Sequence, residues 1–157
     1  MRKLISVFIL FFSFFLSSQE PLFTLVDSEK TGINFSIDLV DTKDHSIFLY
    51  ANYYGGAGVG IGDFDNDGLE DIFLAANLID DKIYKNLGNF QFQDKTKLSG
   101  IINNGSWSTG VTVADVNNDG LLDIYVSCEL YDDAPFLRTN KLYICLLYTS
   151  PSPRDIG

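Results

Sequence analysis

An internal repeat constrains this chain more than any other feature. The segment GVGIGDFDNDGLEDIFLAAN (58–77) aligns without gaps with GVTVADVNNDGLLDIYVSCE (110–129), and nine of the twenty positions are identical. The similarity continues as KIYKN (82–86) against KLYI (141–144). A period of about 50 residues is typical of propellers and related repeat architectures, in which each unit buries its faces only against its neighbours.

Each copy of the repeat centres on a short acidic loop. In the first loop, Asp63, Asp65, Asp67 and Asp71 occupy positions 1, 3, 5 and 9, and Gly68 occupies position 6. This spacing turns alternate side chains inward around Ca²⁺, which takes about six to eight oxygen ligands. The glycine lies where a tight loop needs a positive φ. The pattern therefore predicts a calcium site, and its recurrence makes a simple hairpin turn a poor explanation.

The residues around the loops separate two kinds of calcium-binding protein. An EF-hand loop lies between helices and ends in a bidentate Glu at position 12. Here position 12 is Leu74 in the first copy and Val126 in the second. The flanking runs VGI, IFLA, VTV and IYVS are short and rich in β-branched and aromatic residues, as strands are. Each loop is therefore predicted to join two strands, which excludes an EF-hand.

The remainder of one unit predicts two more strands, at 82–86 and 90–94, with a turn at 87–89 between them. Together with the strands around the loop, these make the four strands of one propeller blade. Ahead of the first repeat, 33–37 and 47–50 predict two further short strands. The predicted fold is all-β, a partial β-propeller of about two four-stranded blades.

The doubled pattern G-V-x-x-x-D-x-[DN]-N-D-G-x-x-D-[IL], followed by K-[IL]-Y, resembles the FG-GAP/VCBS-type repeats, which include calcium-binding blades of integrin α subunits. More closely, YYGGAGVGIGDFDNDGLEDIF and WSTGVTVADVNNDGLLDIYVS resemble exported bacterial proteins of the ASPIC/UnbV, cartilage acidic protein-like group. The resemblance covers roughly residues 31–144. It implies a calcium-stabilised β-propeller, usually seven-bladed, whose biochemical role is poorly defined.

The resemblance also implies which residues hold the metal. In the first loop these are the side chains of Asp63, Asp65, Asp67 and Asp71 with the Leu69 carbonyl. In the second loop they are the side chains of Asp115, Asn117, Asp119 and Asp123 with the Leu121 carbonyl. Asn117 replaces a carboxylate, and its amide oxygen can still ligate. Because the first loop has one more carboxylate, we expect it to bind calcium more tightly.

Residues 1–18 are predicted to be a secretory signal peptide. Met1-Arg2-Lys3 is basic, LISVFILFFSFFL is apolar, and Ser17-Ser18 offers small residues for cleavage. The apolar run is shorter than the roughly 20 residues that span a bilayer. We therefore expect a secreted or cell-surface protein with no membrane span after cleavage. Cleavage removes two cations, so the formal net charge moves from −10 to −12. Such a charge opposes nucleic-acid binding and attracts divalent cations.

The chain is expected to end in a non-native segment. The run CLLYTSPSPRDIG departs from the hairpin that the first repeat predicts at this point, and its prolines oppose a central strand. It resembles translated sequencing-adaptor read-through. We accordingly expect an N-terminal fragment divided into a signal peptide (1–18), an N-terminal segment leading into the propeller (19–52), a first repeat (53–104), a second, incomplete repeat (105–144) and this tail (145–157).

Several other residues carry weaker predictions. Tyr53, Tyr54 and Trp107 precede the Gly-Val of each repeat and are expected to pack between blades, although aromatics so placed could also stack on a sugar ring. The lone His45 lies in the polar run DTKDHS and is expected to be a solvated loop residue. Asn34 and Asn104 lie in N-x-Ser sequons, relevant only in a glycosylating host.

The two cysteines fit no zinc-site spacing. Cys128 follows LLDIYVS and is expected to be a small buried strand residue. A disulfide with Cys145 is possible in an oxidising compartment, but the sequence does not favour it.

The sequence contains no nucleophile elbow, phosphate-cradling glycine loop or HExxH helix. We therefore expect a binding or adhesion module with no catalytic role, in which calcium sets the blade geometry and an extracellular protein or glycan is the partner. Two alternatives stay open: an accessory propeller that binds or processes polysaccharide through the aromatics, and a purely structural role.

Overall fold

The computed structural model describes residues 21–129 and 134–146 of the 157-residue chain. Seven strands form two antiparallel sheets, one of four strands and one of three. The all-β prediction with blade-like units is therefore confirmed. The helices among the described residues are single turns: α1 (Ser28–Thr31), α2 (Thr96–Ser99) and a 3-10 helix (Pro135–Arg138). The predicted signal peptide and residues 147–157 of the predicted tail lie outside the described residues.

The first sheet contains four strands in sequence order: β1 (Val59–Gly62), β2 (Asp71–Leu74), β3 (Lys82–Asn86) and β4 (Phe92–Asp94). The register places Gly62 opposite Asp71, so the two ends of the first acidic loop are held side by side. All four predicted strands are present. The last begins two residues later than predicted, because Asn89 and Phe90 have φ values of 53° and 58° and extend the turn.

The second sheet contains β5 (Trp107–Ala114), β6 (Asp123–Glu129) and β7 (Lys141–Tyr143). Its register places Ala114 opposite Asp123, as Gly62 lies opposite Asp71. The repeat in the sequence therefore produces the same strand–loop–strand unit twice.

The two sheets pack on each other through the face of β1 that carries Gly60. A Cβ on Gly60 would lie 2.7 Å from Cγ1 of Val111 and 2.9 Å from Cγ2 of Val113, both on β5. Only a strand face without side chains lets the two backbones approach this closely. Around this contact lies the core cluster, formed by Phe64, Phe73, Ala75, Ile101, Ile124, Val126 and Cys128.

The two strands predicted ahead of the first repeat are wrong. Residues 33–37 have no regular secondary structure, and residues 47–49 form a turn. Tyrosine hydroxyls from later in the chain bind carbonyl groups of this segment. The Tyr84 hydroxyl donates to the Asn34 carbonyl at 2.8 Å, and the Tyr53 hydroxyl donates to the Val40 carbonyl at 3.0 Å. The alternating pattern was present in the sequence, but residues 33–37 pair with no strand among the described residues.

Tyr53 and Trp107 are buried, as expected of packing residues, whereas the prediction is wrong for Tyr54, which is 57% exposed. His45 is half-buried rather than fully solvated, and its backbone N–H donates to Thr42 Oγ1 at 2.9 Å. Cys128 is a buried strand residue, as predicted, and both it and Cys145 are free thiols.

Candidate metal centre

Strand pairing assembles the first acidic loop. Asp63 directly follows β1 and Asp71 begins β2, so the antiparallel register brings the first and last acidic residues together. One oxygen from each of Asp63, Asp65 and Asp71 lies within 4.8 Å of the others. Oxygens on opposite sides of a Ca²⁺ ion are about 5 Å apart, since each lies about 2.3–2.6 Å from it. The spacing therefore suits a shared hard cation.

Backbone N–H groups hold Asp63 in place. Its two carboxylate oxygens accept hydrogen bonds from the N–H groups of Asp67 at 3.0 Å and Gly68 at 2.8 Å. The loop turns back far enough for these bonds because Asn66 and Gly68 have φ values of 55° and 87°. The glycine at position 6 thus has the positive φ that the sequence predicted.

Asp71 connects the loop to two strands. One carboxylate oxygen accepts from the Phe64 N–H at 3.2 Å, and the other accepts from the Asn86 N–H at the end of β3 at 2.7 Å. Burial raises the pKa of Asp71 above the usual aspartate range. A nearby cation would offset this desolvation by favouring the ionised form.

Asp65 supplies the observation that most favours a bound cation. Its Oδ1 is buried and has no hydrogen-bond partner in the part of the chain that the structure describes. A buried acceptor without a partner is costly, and native proteins rarely tolerate one. Its other oxygen contacts the Lys85 ammonium. The unpartnered oxygen and the three converging carboxylates together fit a hard divalent cation.

Lys85 is the residue of this site that the sequence analysis missed. It projects from β3, and its ammonium also lies 2.7 Å from Asp67 Oδ2. The hydrogen bond from Lys85 is the main cause of a lowered pKa at Asp67, and the hydrogen bond from the Leu69 N–H adds to it. In turn, the carboxylates of Asp65 and Asp67 raise the pKa of Lys85. The repeat alignment contained a signal, since the corresponding position in KLYI is Ile144. At this aligned position, the first copy has a lysine and the second has an isoleucine.

The second loop repeats the backbone arrangement of the first. Asp115 accepts from the N–H groups of Asp119 at 3.1 Å and Gly120 at 2.9 Å, and the Gly120 bond is the main cause of its lowered pKa. The Asp123 carboxylate accepts a hydrogen bond from the Val116 N–H at 3.0 Å, and the Asp71 carboxylate accepts one from the Phe64 N–H. In both loops the donor is the residue that follows the first aspartate.

The side chains of the second loop are arranged differently. The Asn117 amide donates to Asp119 Oδ2 at 2.8 Å, and its oxygen accepts the Asp119 N–H at 3.1 Å. Within the described ranges, the only group of three acidic, histidine or cysteine side chains spaced for a metal is the one in the first loop. The structure thus gathers three of the four first-loop carboxylates, while Asp67 is turned towards Lys85. For the Leu69 and Leu121 carbonyls, a ligand role stays a prediction.

Comparison with known proteins identifies this region. Residues 63–126, from the first loop to β6, match the family model described as an FG-GAP-like repeat. This part of the chain is similar to an FG-GAP-like repeat. This confirms the resemblance drawn from the doubled loop. Cartilage acidic protein 1 from Xenopus tropicalis is 29% identical over 101 residues, which are 64% of this chain and 16% of that relative. The chain therefore spans a small part of the length of the relative it matches.

The residues that match the FG-GAP-like repeat contain both acidic loops. Repeats of this type are β-propeller-like binding modules and are typical of extracellular proteins. In the described ranges, no helix combines the length and hydrophobicity that crossing a bilayer requires.

Proposed function

We propose that this chain is part of an exported, calcium-binding β-propeller that acts as a binding or adhesion module outside the cell. The observation that carries the proposal is the convergence of Asp63, Asp65 and Asp71, with one Asp65 oxygen buried and unpartnered. Calcium bound there would satisfy that oxygen and tie the loop to the start of β2. Bound calcium would thereby stabilise the geometry of the blade.

The proposed ligands of the first site are the side chains of Asp63, Asp65, Asp67 and Asp71 with the Leu69 carbonyl. In the second loop they are the side chains of Asp115, Asn117, Asp119 and Asp123 with the Leu121 carbonyl. To bind calcium, Asp67 must give up its contact with Lys85. Asn117 must likewise give up its contact with Asp119.

Export is proposed from the predicted signal peptide and from the extracellular character of FG-GAP-like repeats. It also suits the chemistry of the site. Calcium sites in extracellular modules often bind at about 10⁻⁴–10⁻³ M, and a partly exposed loop of this type suits that range.

Binding is proposed in preference to catalysis, with an extracellular protein as the partner and the loops of the blades as the contact surface. Polysaccharide binding has less support. Tyr53 and Trp107 are 0% and 1% exposed, so their faces are not accessible to a sugar ring. Tyr54 is the aromatic of this group that could still take that role.

Calorimetric titration of the chain with CaCl₂, with circular dichroism recorded alongside, tests the metal site. We expect saturable binding that weakens at least about tenfold in Asp65→Ala. Asp65 is the best position because, unlike Asp63 and Asp71, its carboxylate accepts no described backbone hydrogen bond. Asp44→Ala is the matched control, since Asp44 is exposed and lies 3.9 Å from Lys43. A folded chain that binds no calcium at several millimolar, or an Asp65→Ala variant that binds as well as Asp44→Ala, would overturn the proposal.

A further inference from the structure

A cluster of buried polar side chains lies between the two sheets, away from the acidic loops. Its members are Asp81 before β3, Asn103 before β5, Ser108 on β5 and Lys141 on β7. Asp81 and Ser108 are 0% exposed and Asn103 is 1% exposed. The Lys141 side chain, which enters from β7, is 18% exposed. Nothing in the proposed calcium-binding function uses this cluster.

The cluster brings an amine, a carboxamide and a carboxylate together. The Lys141 ammonium contacts Oδ1 of Asn103 and lies 3.7 Å from Oδ2 of Asp81. The Asn103 Nδ2 group donates to the carbonyls of Ile79 at 2.6 Å and Ser106 at 3.1 Å. These bonds fix the plane of the carboxamide, so its carbonyl carbon stays beside the lysine.

We propose that Lys141 and Asn103 form an intramolecular isopeptide bond, with Asp81 as the residue that moves the proton. The Lys141 ammonium first gives a proton to Asp81. The neutral Nζ then attacks Cγ of Asn103, a new C–N bond forms, and the bond from Cγ to Nδ2 breaks. Asp81 returns its proton and the attacking nitrogen loses one more, so the leaving group departs as ammonium. One ammonium and one carboxamide thus become one secondary amide and one ammonium ion, with no oxidant or external reactant.

The surroundings favour the protonated form of Asp81, which this reaction needs. Burial raises the pKa of Asp81, and burial together with the Asp81 charge raises the pKa of the neighbouring Tyr143 to about 12. Because burial disfavours the charged carboxylate, Asp81 is suited to take up the proton that the amine must lose. The Ala76 N–H donates to Asp81 Oδ1 at 2.8 Å, which orients the carboxylate towards the amine.

Ser108 supplies a donor for the developing charge. Its hydroxyl lies 3.4 Å from Asn103 Oδ1 and 3.2 Å from Asp81 Oδ2. The negative charge that builds on Oδ1 during attack can therefore be stabilised by a hydroxyl already in place, as in other acyl transfers.

The bond would clamp the second sheet. It would join β7, a strand of three residues, to the segment that precedes β5, 38 positions earlier in the sequence. A short strand is otherwise held by only a few hydrogen bonds, so a covalent cross-link would oppose its local opening.

Peptide mapping of the purified, folded chain tests the proposal. Trypsin cleaves after lysine and arginine, so an unlinked chain yields 98–138, 139–141 and 142–154. The linked chain yields 98–138 joined to 139–154, uncut at Lys141 and lighter by one ammonia, about 17 Da. Tandem mass spectra locate the branch at Asn103. Folding is checked by circular dichroism before digestion.

Variants separate the reaction from other losses of ammonia. Lys141→Arg keeps the positive charge and removes the nucleophile, so the joined peptide is absent. Asp81→Asn removes the proton acceptor, and the joined fraction falls at least about tenfold after equal incubation. Lys82→Arg, at a lysine that lies 3.0 Å from Asp94, leaves the fraction unchanged.

Two results overturn the proposal. The first is a folded wild-type chain in which trypsin cuts after Lys141 in full. The second is a loss of about 17 Da confined to an unlinked 98–138 peptide, which would be cyclisation at Asn104-Gly105.

Discussion

Tyr53 and Trp107 stack on each other with ring centroids 5.3 Å apart and planes inclined at 29°. Tyr53 lies in the segment ahead of β1, and Trp107 is the first residue of β5. Tyr50 adds an edge-on contact to the same indole at 5.6 Å. The stack fastens the N-terminal segment to the second sheet, so the aromatics beside the repeat act as packing residues.

Truncation of the stack should be among the most destabilising changes in the chain. Tyr53→Ala and Trp107→Ala are each expected to lower the free energy of unfolding by about 3–5 kcal/mol, because each leaves a cavity where a large side chain was buried. Urea unfolding followed by circular dichroism measures this. Tyr54→Ala is the control and should cost under about 1 kcal/mol, as its ring is exposed. Equal costs for Tyr53→Ala and Tyr54→Ala would contradict this assignment.

The glycine face of β1 should not accept a methyl group. Gly60→Ala places Cβ 2.7 Å from Val111 Cγ1, so the two sheets must separate or the valines must leave their rotamers. We expect a loss of about 1–3 kcal/mol in the free energy of unfolding. Thr112→Ala, at the corresponding and exposed position of the second repeat, should stay within about 0.5 kcal/mol. Unfolding midpoints in urea compare the two, and similar losses would show that close packing at Gly60 is not the cause.

Removal of the lysine beside the first loop should strengthen calcium binding there. Among the proposed ligands, the four carboxylates of the first loop and the neighbouring Lys85 sum to a charge of −3, which equals that of the three ligand carboxylates of the second loop. Once Lys85 is counted, the extra ligand carboxylate therefore gives the first site no charge advantage. Lys85→Met should raise its calcium affinity several-fold, roughly 1 kcal/mol, more at low salt than at high salt.

Calorimetry at two salt concentrations measures the effect of Lys85→Met. The control is Lys82→Met, which removes a lysine of the same strand that pairs with Asp94 outside the loop. If both variants raise the affinity equally, general charge explains the effect and a direct role of Lys85 is excluded.

Asp81 should make stability depend on pH. Its pKa is raised in the folded state by burial, so the unfolded chain releases this proton at a lower pH than the folded chain does. Stability from this group is therefore greatest at low pH. It falls as the pH rises from about 4, the ordinary aspartate value, through the raised pKa, and then levels off.

Urea unfolding at a series of pH values tests the titration of Asp81. The decline should be smaller in Asp81→Asn than in the wild type. Asp80→Asn, at the exposed neighbouring position, should keep the wild-type decline. If the free energy of unfolding falls equally with pH in all three proteins, groups other than Asp81 cause the fall.

Local pattern was sufficient for the repeated unit. The strand–loop–strand order, the positive φ at Gly68 and Gly120, and the closing positions of Asp71 and Asp123 were all predictable, because each follows from residues a few positions apart. The failures came where a second partner was needed. Residues 33–37 alternate as a strand does but pair with no strand in the described part of the chain.

The candidate metal site was likewise predictable only where its features depend on residues close in sequence. Spacing identified the acidic residues, and the repeat alignment paired them between copies. It could not show that Lys85, 20 positions after Asp65, reaches from β3 back to the loop. Nor could it show that Asn117 is engaged with Asp119, since side-chain rotamers depend on contacts that the sequence does not list.

The sequence by itself determined the repeat, the strands around each loop and the residues available to a cation, since a period-two strand pattern and a turn are local properties. Only the tertiary structure decided which carboxylates converge, which aromatics are buried, and that Asp81, Asn103 and Lys141 meet between the sheets. The last two outcomes depend on contacts between distant segments, such as Tyr53 with Trp107 and Asn103 with Lys141. Such contacts are set by the packing of the whole fold, which no local pattern in the sequence encodes.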